Sequence, residues 1–147
     1  MEKMHFKARI NAPREKVWQV LWGDHTYPEW TAAFSEGSKA VTDWKKGSKV
    51  HFVNQENEGM VAMIHDRIDN EFMSFRHIGM VDKDGNEDLD SENVKSWVGA
   101  MENYTLNDVN GATELIVDMD TVEQHKDYFL EAWPKALDHL KQMAERK

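Results

Sequence analysis

From about Thr121 to Arg146 the chain reads as one long helix, with Phe129, Trp133, Leu137, Leu140 and Ala144 forming an apolar stripe at helical spacing. Every candidate strand precedes it. These strands lie at 4–10, 38–42, 48–55, 59–68, 71–80, 96–106 and 112–119, separated mostly by short turn signals, which implies an antiparallel meander. A sheet with one apolar face must bury that face, and this helix is the only long amphipathic element available to cover it. The architecture expected is α+β, one sheet curled around one helix. Thr121 and Gln124 match a capping box at the start of the helix, and Pro134 inside it predicts a kink or a restart.

Hairpin arithmetic assigns the faces. With Asp69-Asn70 as a turn, Ile64 opposes Phe75 and Ala62 opposes His77, so Met60, Ala62, Ile64, Met73, Phe75 and His77 share a face. His65, Arg67, Ser74 and Arg76 take the other. Asn110-Gly111 is the stronger hairpin signal, because both residues accept the positive φ of a type I′ turn. It sets Tyr104 against Val117 and Leu106 against Leu115, and gathers Val98, Ala100, Glu102, Tyr104, Leu106, Leu115, Val117 and Met119 on one side. Trp97 and Met101 fall on the more polar side, as a dimer contact or as scattered exposed apolar residues.

Two short helices are expected between the first two strands, at 13–22 and roughly 26–35. The first begins at Pro13 and stops at Gly23. Val17, Val20 and Leu21 already give it an apolar stripe, so Trp18 and Trp22 widen that face beyond what simple docking requires. The second brings Trp30 and Phe34 to one side at i, i+4 spacing.

Composition excludes several functions. A formal charge of −9 repels phosphate backbones, and no basic cluster offsets it, so nucleic acid is not an expected partner. No apolar run approaches the roughly 18 residues of a membrane span. The opening MEKMHFKARI alternates rather than forming a secretory leader, and cysteine is absent, so the expectation is a cytoplasmic protein without disulfides. At 147 residues, one domain spanning 1–147 is expected, with a monomer favoured.

The opening INAPREKVWQVLWG, the DWKKGSKVHF stretch, the EGM and IDNEFMSFRHIG stretches and the final YFLEAWPKALDHLKQM resemble the SRPBCC superfamily of START-like proteins. Within it the resemblance is to bacterial homologues of the activator of the heat-shock protein 90 ATPase, alongside polyketide cyclase-like domains. It runs over nearly the whole chain. It implies the helix-grip fold, a curved antiparallel sheet wrapped around a long C-terminal helix, with two short helices closing one end of a cavity to whose lining their tryptophans contribute. Such a cavity suits a small hydrophobic, aromatic or lipid-like ligand.

The candidate ligand-binding residues are Trp30, Phe34, Ile64, Phe75, His77, Val98, Ala100, Glu102, Tyr104, Val117, Trp133 and Leu137. His77 and Glu102 are the polar residues on the apolar face, able to orient a ligand or to act as an acid and base pair. Each also fits a buried group satisfied by a structural partner. No metal or other cofactor is expected: HExxH is absent, and His51, His65 and His77 sit on different strands, the last two on opposite faces. DKDGNEDLDSEN, at 82–93, imitates the start of a calcium loop at Asp82, Asp84 and Asn86. It then places Glu87 where glycine is needed and Asn93 where a bidentate glutamate belongs, which reads as a solvated acidic loop. Its length suits a flap over a cavity mouth, or simple disorder. The functional expectation is binding of a small hydrophobic molecule. The alternatives are a cyclase- or dehydratase-like enzyme using His77 and Glu102, and a regulator of a chaperone ATPase.

Overall fold

The computed structural model describes residues 1–146. Strand β1 (Glu2–Ile10) is followed by helix α1 (Arg14–Trp22), the one-turn helix α2 (Tyr27–Trp30) and a 3₁₀ turn over Thr31–Ala33. Strands β2 (Lys39–Val41), β3 (Lys49–Val53), β4 (Gly59–Ile68), β5 (Phe72–Val81) and β6 (Glu87–Asp88) come next. After them run the short helix α3 (Glu92–Lys95), β7 (Met101–Val109), β8 (Ala112–Thr121) and the long helix α4 (Glu123–Glu145). All pairings are antiparallel, in the order β1-β8-β7-β5-β4-β3-β2, with β6 beside the far end of β5. The sheet is concave toward α4, the helix-grip arrangement that the sequence implied.

The register follows from the turns. Asn110 and Gly111 have φ of 54° and 87°, a type I′ turn, and Tyr104 pairs with Val117 and Leu106 with Leu115 as expected. The β4–β5 turn is a residue longer than the arithmetic assumed, with Ile68 opposite Phe72. A bulge between Ile64 and Asp66 absorbs the extra residue, so Ile64 still meets Phe75 and Ala62 still meets His77. Gly59 is obligatory on β4, since a Cβ there would lie 1.9 Å from the Phe52 carbonyl oxygen.

Three local expectations are corrected. The stretch 96–106 is not one strand: Ser91 caps α3 by accepting from the Val94 N–H, and the chain turns through Gly99 at φ +89° before β7 begins at Met101. Trp97 is consequently buried, not exposed on the polar face, and Val98 points outward, 40% exposed. The capping box does not form, because Thr121 is the last residue of β8, paired with Glu2, and α4 starts from Val122 without a side-chain cap. Helix α4 also runs on through Pro134 without a restart, the proline ring lying on its exposed side between buried Trp133 and Ala136.

Candidate functional site

Alternation along β7 brings Glu102 and Tyr104 to the concave face. His77 on β5 joins them there, its backbone N–H and C=O bonded to Ala100 O and Gly99 N–H, each at 2.8 Å. The His77 Nε2 lies 3.1 Å from one Glu102 carboxylate oxygen, and the Tyr104 hydroxyl donates to the other. Both oxygens of a largely buried carboxylate are therefore engaged. Burial pushes the Glu102 carboxyl up. The hydrogen bond to His77, the charge His77 carries when protonated and the Tyr104 hydroxyl together outweigh burial and hold it below the usual carboxylate range. Tyr104 is pushed well up by burial, then by the charge of Glu102 and its hydrogen bond to it, with Tyr27 adding a smaller push. Tyr27 rises through burial first and the Glu102 charge second. The His77 Nδ1 is buried and, among the described residues, has no hydrogen-bond partner.

This triad sits in the wall of a cavity of about 600 Å³ between the sheet and the first half of α4. Of the expected ligand-binding residues, Trp30, Phe34, His77, Ala100, Glu102, Tyr104 and Trp133 line it. Ile64, Phe75, Val117 and Leu137 share the concave face, or the inward side of α4, but belong to the closed core, none more than 6% exposed. The sheet is longer than the cavity, and α1 fills its other half: Trp22 packs 5.4 Å from Phe75 and 4.9 Å from Tyr104, ring centre to ring centre. Trp18 and Trp22 thus contribute to solid packing, and of the tryptophans on the two N-terminal helices Trp30 is the one that reaches the cavity. Val98 is excluded by the turn that exposes it.

Other lining residues went unassigned from sequence, among them Tyr27, Phe52, Trp97, Met119 and Phe129. Trp97 had a readable signal, since Ser91 before Glu92-Asn93-Val94 is a helix start inside what was taken for loop and strand. The acidic segment is less free than expected. Asp82 accepts from the N–H groups of Asp84 and Asn86, β6 adds to the sheet, and Asn93 and Trp97 form a flank of the cavity. The other two histidines weighed as metal ligands lie elsewhere, His51 hydrogen-bonded to Glu87 at 2.7 Å and His65 exposed on β4.

Residues 11–145 match the family described as activator of Hsp90 ATPase homolog 1-like protein. The chain belongs to that family. The match takes in both N-terminal helices, the sheet from β2 onward and all of α4, and so every element that lines the cavity of this Hsp90 ATPase activator homolog 1-like chain. No curated protein matches the chain. Among solved structures it is similar to protein MLL2253 from Mesorhizobium loti, with a TM-score of 0.77 at 15% identity, covering 99% of this chain and 98% of that one. It is similar to the Aha1 dimer from Colwellia psychrerythraea, TM-score 0.72 at 18% identity, covering 99% and 97%. It is also similar to DynU16, a protein in the dynemicin biosynthetic locus, TM-score 0.72 at 14% identity, covering 99% of this chain and 48% of that one. At these identities the likeness is one of fold alone.

Proposed function

We propose that this family member binds a small, largely apolar, ring-bearing molecule in the cavity between the sheet and α4. The observation that carries the reading is a cavity of about 600 Å³ walled largely by aromatic and apolar side chains, with the hydrogen-bonded Glu102, His77 and Tyr104 triad in its inner wall. That volume lies within the usual range for small-molecule sites, and a mostly apolar wall with a few fixed polar atoms is their usual composition. A packed domain interior contains few voids larger than a water molecule, so a space of this size is a departure from ordinary core packing.

The test is native mass spectrometry of the protein purified gently from its own cells, followed by solvent extraction. A reproducible adduct that an analogue displaces, with quenching of Trp fluorescence on rebinding, is the expected result. A bare mass, together with no amide NMR shift at Trp30, Phe52 or Trp133 across a panel of aromatic and acyl compounds, rejects the reading.

A second reading rests on one feature. An imidazole paired to a carboxylate inside a substrate-sized cavity is an acid and base arrangement, as a cyclase- or dehydratase-like enzyme requires. Turnover with a bell-shaped pH profile, lost in both His77→Gln and Glu102→Gln, supports it; binding without turnover leaves the first.

A further inference from the structure

The charge of the cavity wall narrows the ligand class, an inference that rests on the binding reading above. Its lining includes the carboxylates of Glu58, Glu102 and Asp120 against the single lysine Lys39, alongside His77 and His125. Asp120 is paired with Lys3 at 3.1 Å, and Glu58 lies at the exposed rim. Glu102 is the inner charge. Its closest partners are the Tyr104 hydroxyl, which donates to one carboxylate oxygen, and the His77 imidazole, 3.1 Å from the other. Among the described residues no lysine or arginine is paired with it.

Around this carboxylate the walls are π-faces. Phe52 lies 6.0 Å from the His77 ring, Tyr27 stacks 6.3 Å from Phe52, and Trp133 lies 6.0 Å from Tyr104 with Phe34 a further 4.9 Å beyond. Ring faces carry negative potential and attract cations, while a desolvated carboxylate attracts them more strongly. We infer that the cavity selects a protonated amine carried on an apolar or aromatic body, with the ammonium group placed at Glu102 and the rings Tyr27, Phe52 and Trp133 around it. The same wall discriminates against fatty acids and other carboxylates, whose charge meets Glu102 with, among the described residues, no lysine or arginine paired to it. A neutral hydroxyl ligand falls between the two.

Three probes with one ring separate these classes: 1-naphthylmethylammonium, 1-naphthalenemethanol and 1-naphthoate, titrated into the full chain by calorimetry at neutral pH. The ammonium is expected to bind about tenfold more tightly than the alcohol, and the carboxylate about tenfold more weakly. In Glu102→Gln, which keeps the shape of the side chain, the ratio between ammonium and alcohol is expected to fall to about one. An alcohol or carboxylate that binds as tightly as the ammonium overturns the inference while leaving the binding reading intact. An ammonium preference that survives Glu102→Gln overturns the assignment to this carboxylate. Failure of all three probes, with no shift of Trp30 or Trp133 indole resonances, overturns the cavity reading and this inference with it. The ranking in the unmodified chain is decisive even if Glu102→Gln does not fold.

Discussion

The concave side of the sheet has two ring-rich halves that behave as opposites. Under α1, Trp22 is a hub, 5.3 Å from Trp44, 5.4 Å from Phe75 and 4.9 Å from Tyr104, and the space is filled. Under the first half of α4, Trp133 is similarly close to its neighbours, 6.3 Å from Trp30 and 4.9 Å from Phe34, yet the three rings border an open volume. The two halves use the same residue types. What separates them is the third layer: α1 lays a complete apolar face on the sheet, while α2 and its 3₁₀ turn are too short to do so, and α3 covers only a flank.

This contrast predicts different costs for the same truncation. Trp22→Ala removes a ring packed on several sides and is expected to cost about 3–5 kcal/mol of unfolding free energy. Phe34→Ala, at a partly exposed ring with one side on the cavity, is expected to cost about 1–2 kcal/mol, because few of its contacts are lost and the space beside it is already empty. Urea denaturation of both variants measures the difference. Equal costs mean that the cavity half is as solid as the other.

Adding atoms reverses the test. Ala62 is fully buried in the closed core and does not line the cavity, and Ala62→Leu is expected to destabilise by about 1–3 kcal/mol through overpacking. Ala100 lines the cavity, so Ala100→Leu has room to enter it and is expected to change stability by less than about 0.5 kcal/mol while weakening ligand binding. A large loss in Ala100→Leu signals that the void is not available to a side chain.

Much of this division was hidden in the sequence. The order of strands, the grip of α4 and the facing pairs Ile64 with Phe75 and Tyr104 with Val117 were legible, because period-two alternation and turn chemistry act locally. Those same patterns place Phe75 and His77 on one face without saying that Phe75 lies under α1 and His77 beyond its end. Burial against a third layer depends on where a helix lands, and Ile64, Val117 and Leu137 were misplaced into the cavity for that reason. Trp97 and Val98 were interchanged by a local misreading instead: a short helix capped by Ser91 shifts the faces just before β7.

The polar triad gives the cavity half a pH signature that the filled half lacks. Because the folded Glu102 carboxyl lies below its unfolded value, its contribution is present above the unfolded pKa, about 4.3, and is lost as pH falls through the lower folded value. Glu102→Gln is expected to cost about 1–2 kcal/mol at neutral pH and to flatten the fall of thermal stability below about pH 5. Tm measured from pH 3 to 7 on both proteins checks it. An unchanged acid limb assigns acid sensitivity to other carboxylates, such as Glu87 beside Lys49 and His51, which is also held low.

The smallest effect is expected at the cavity rim. Tyr128 is 48% exposed on α4, and its hydroxyl donates to the Phe34 carbonyl oxygen at 2.5 Å, tying α4 to the segment after α2 where both border the cavity. Burial of its ring lifts the phenol above its usual range, so the hydroxyl stays a donor at neutral pH. Tyr128→Phe removes one solvent-accessible hydrogen bond and is expected to cost less than about 1 kcal/mol. Its kinetic effect is the sharper one. If that bond holds the two sides of the rim together, ligand association and dissociation both quicken while the equilibrium constant moves little, since the inner contacts are untouched. Stopped-flow Trp quenching with 1-naphthylmethylammonium reads both rates. A change in dissociation alone assigns Tyr128 a direct contact with the ligand rather than a hold on the cavity mouth.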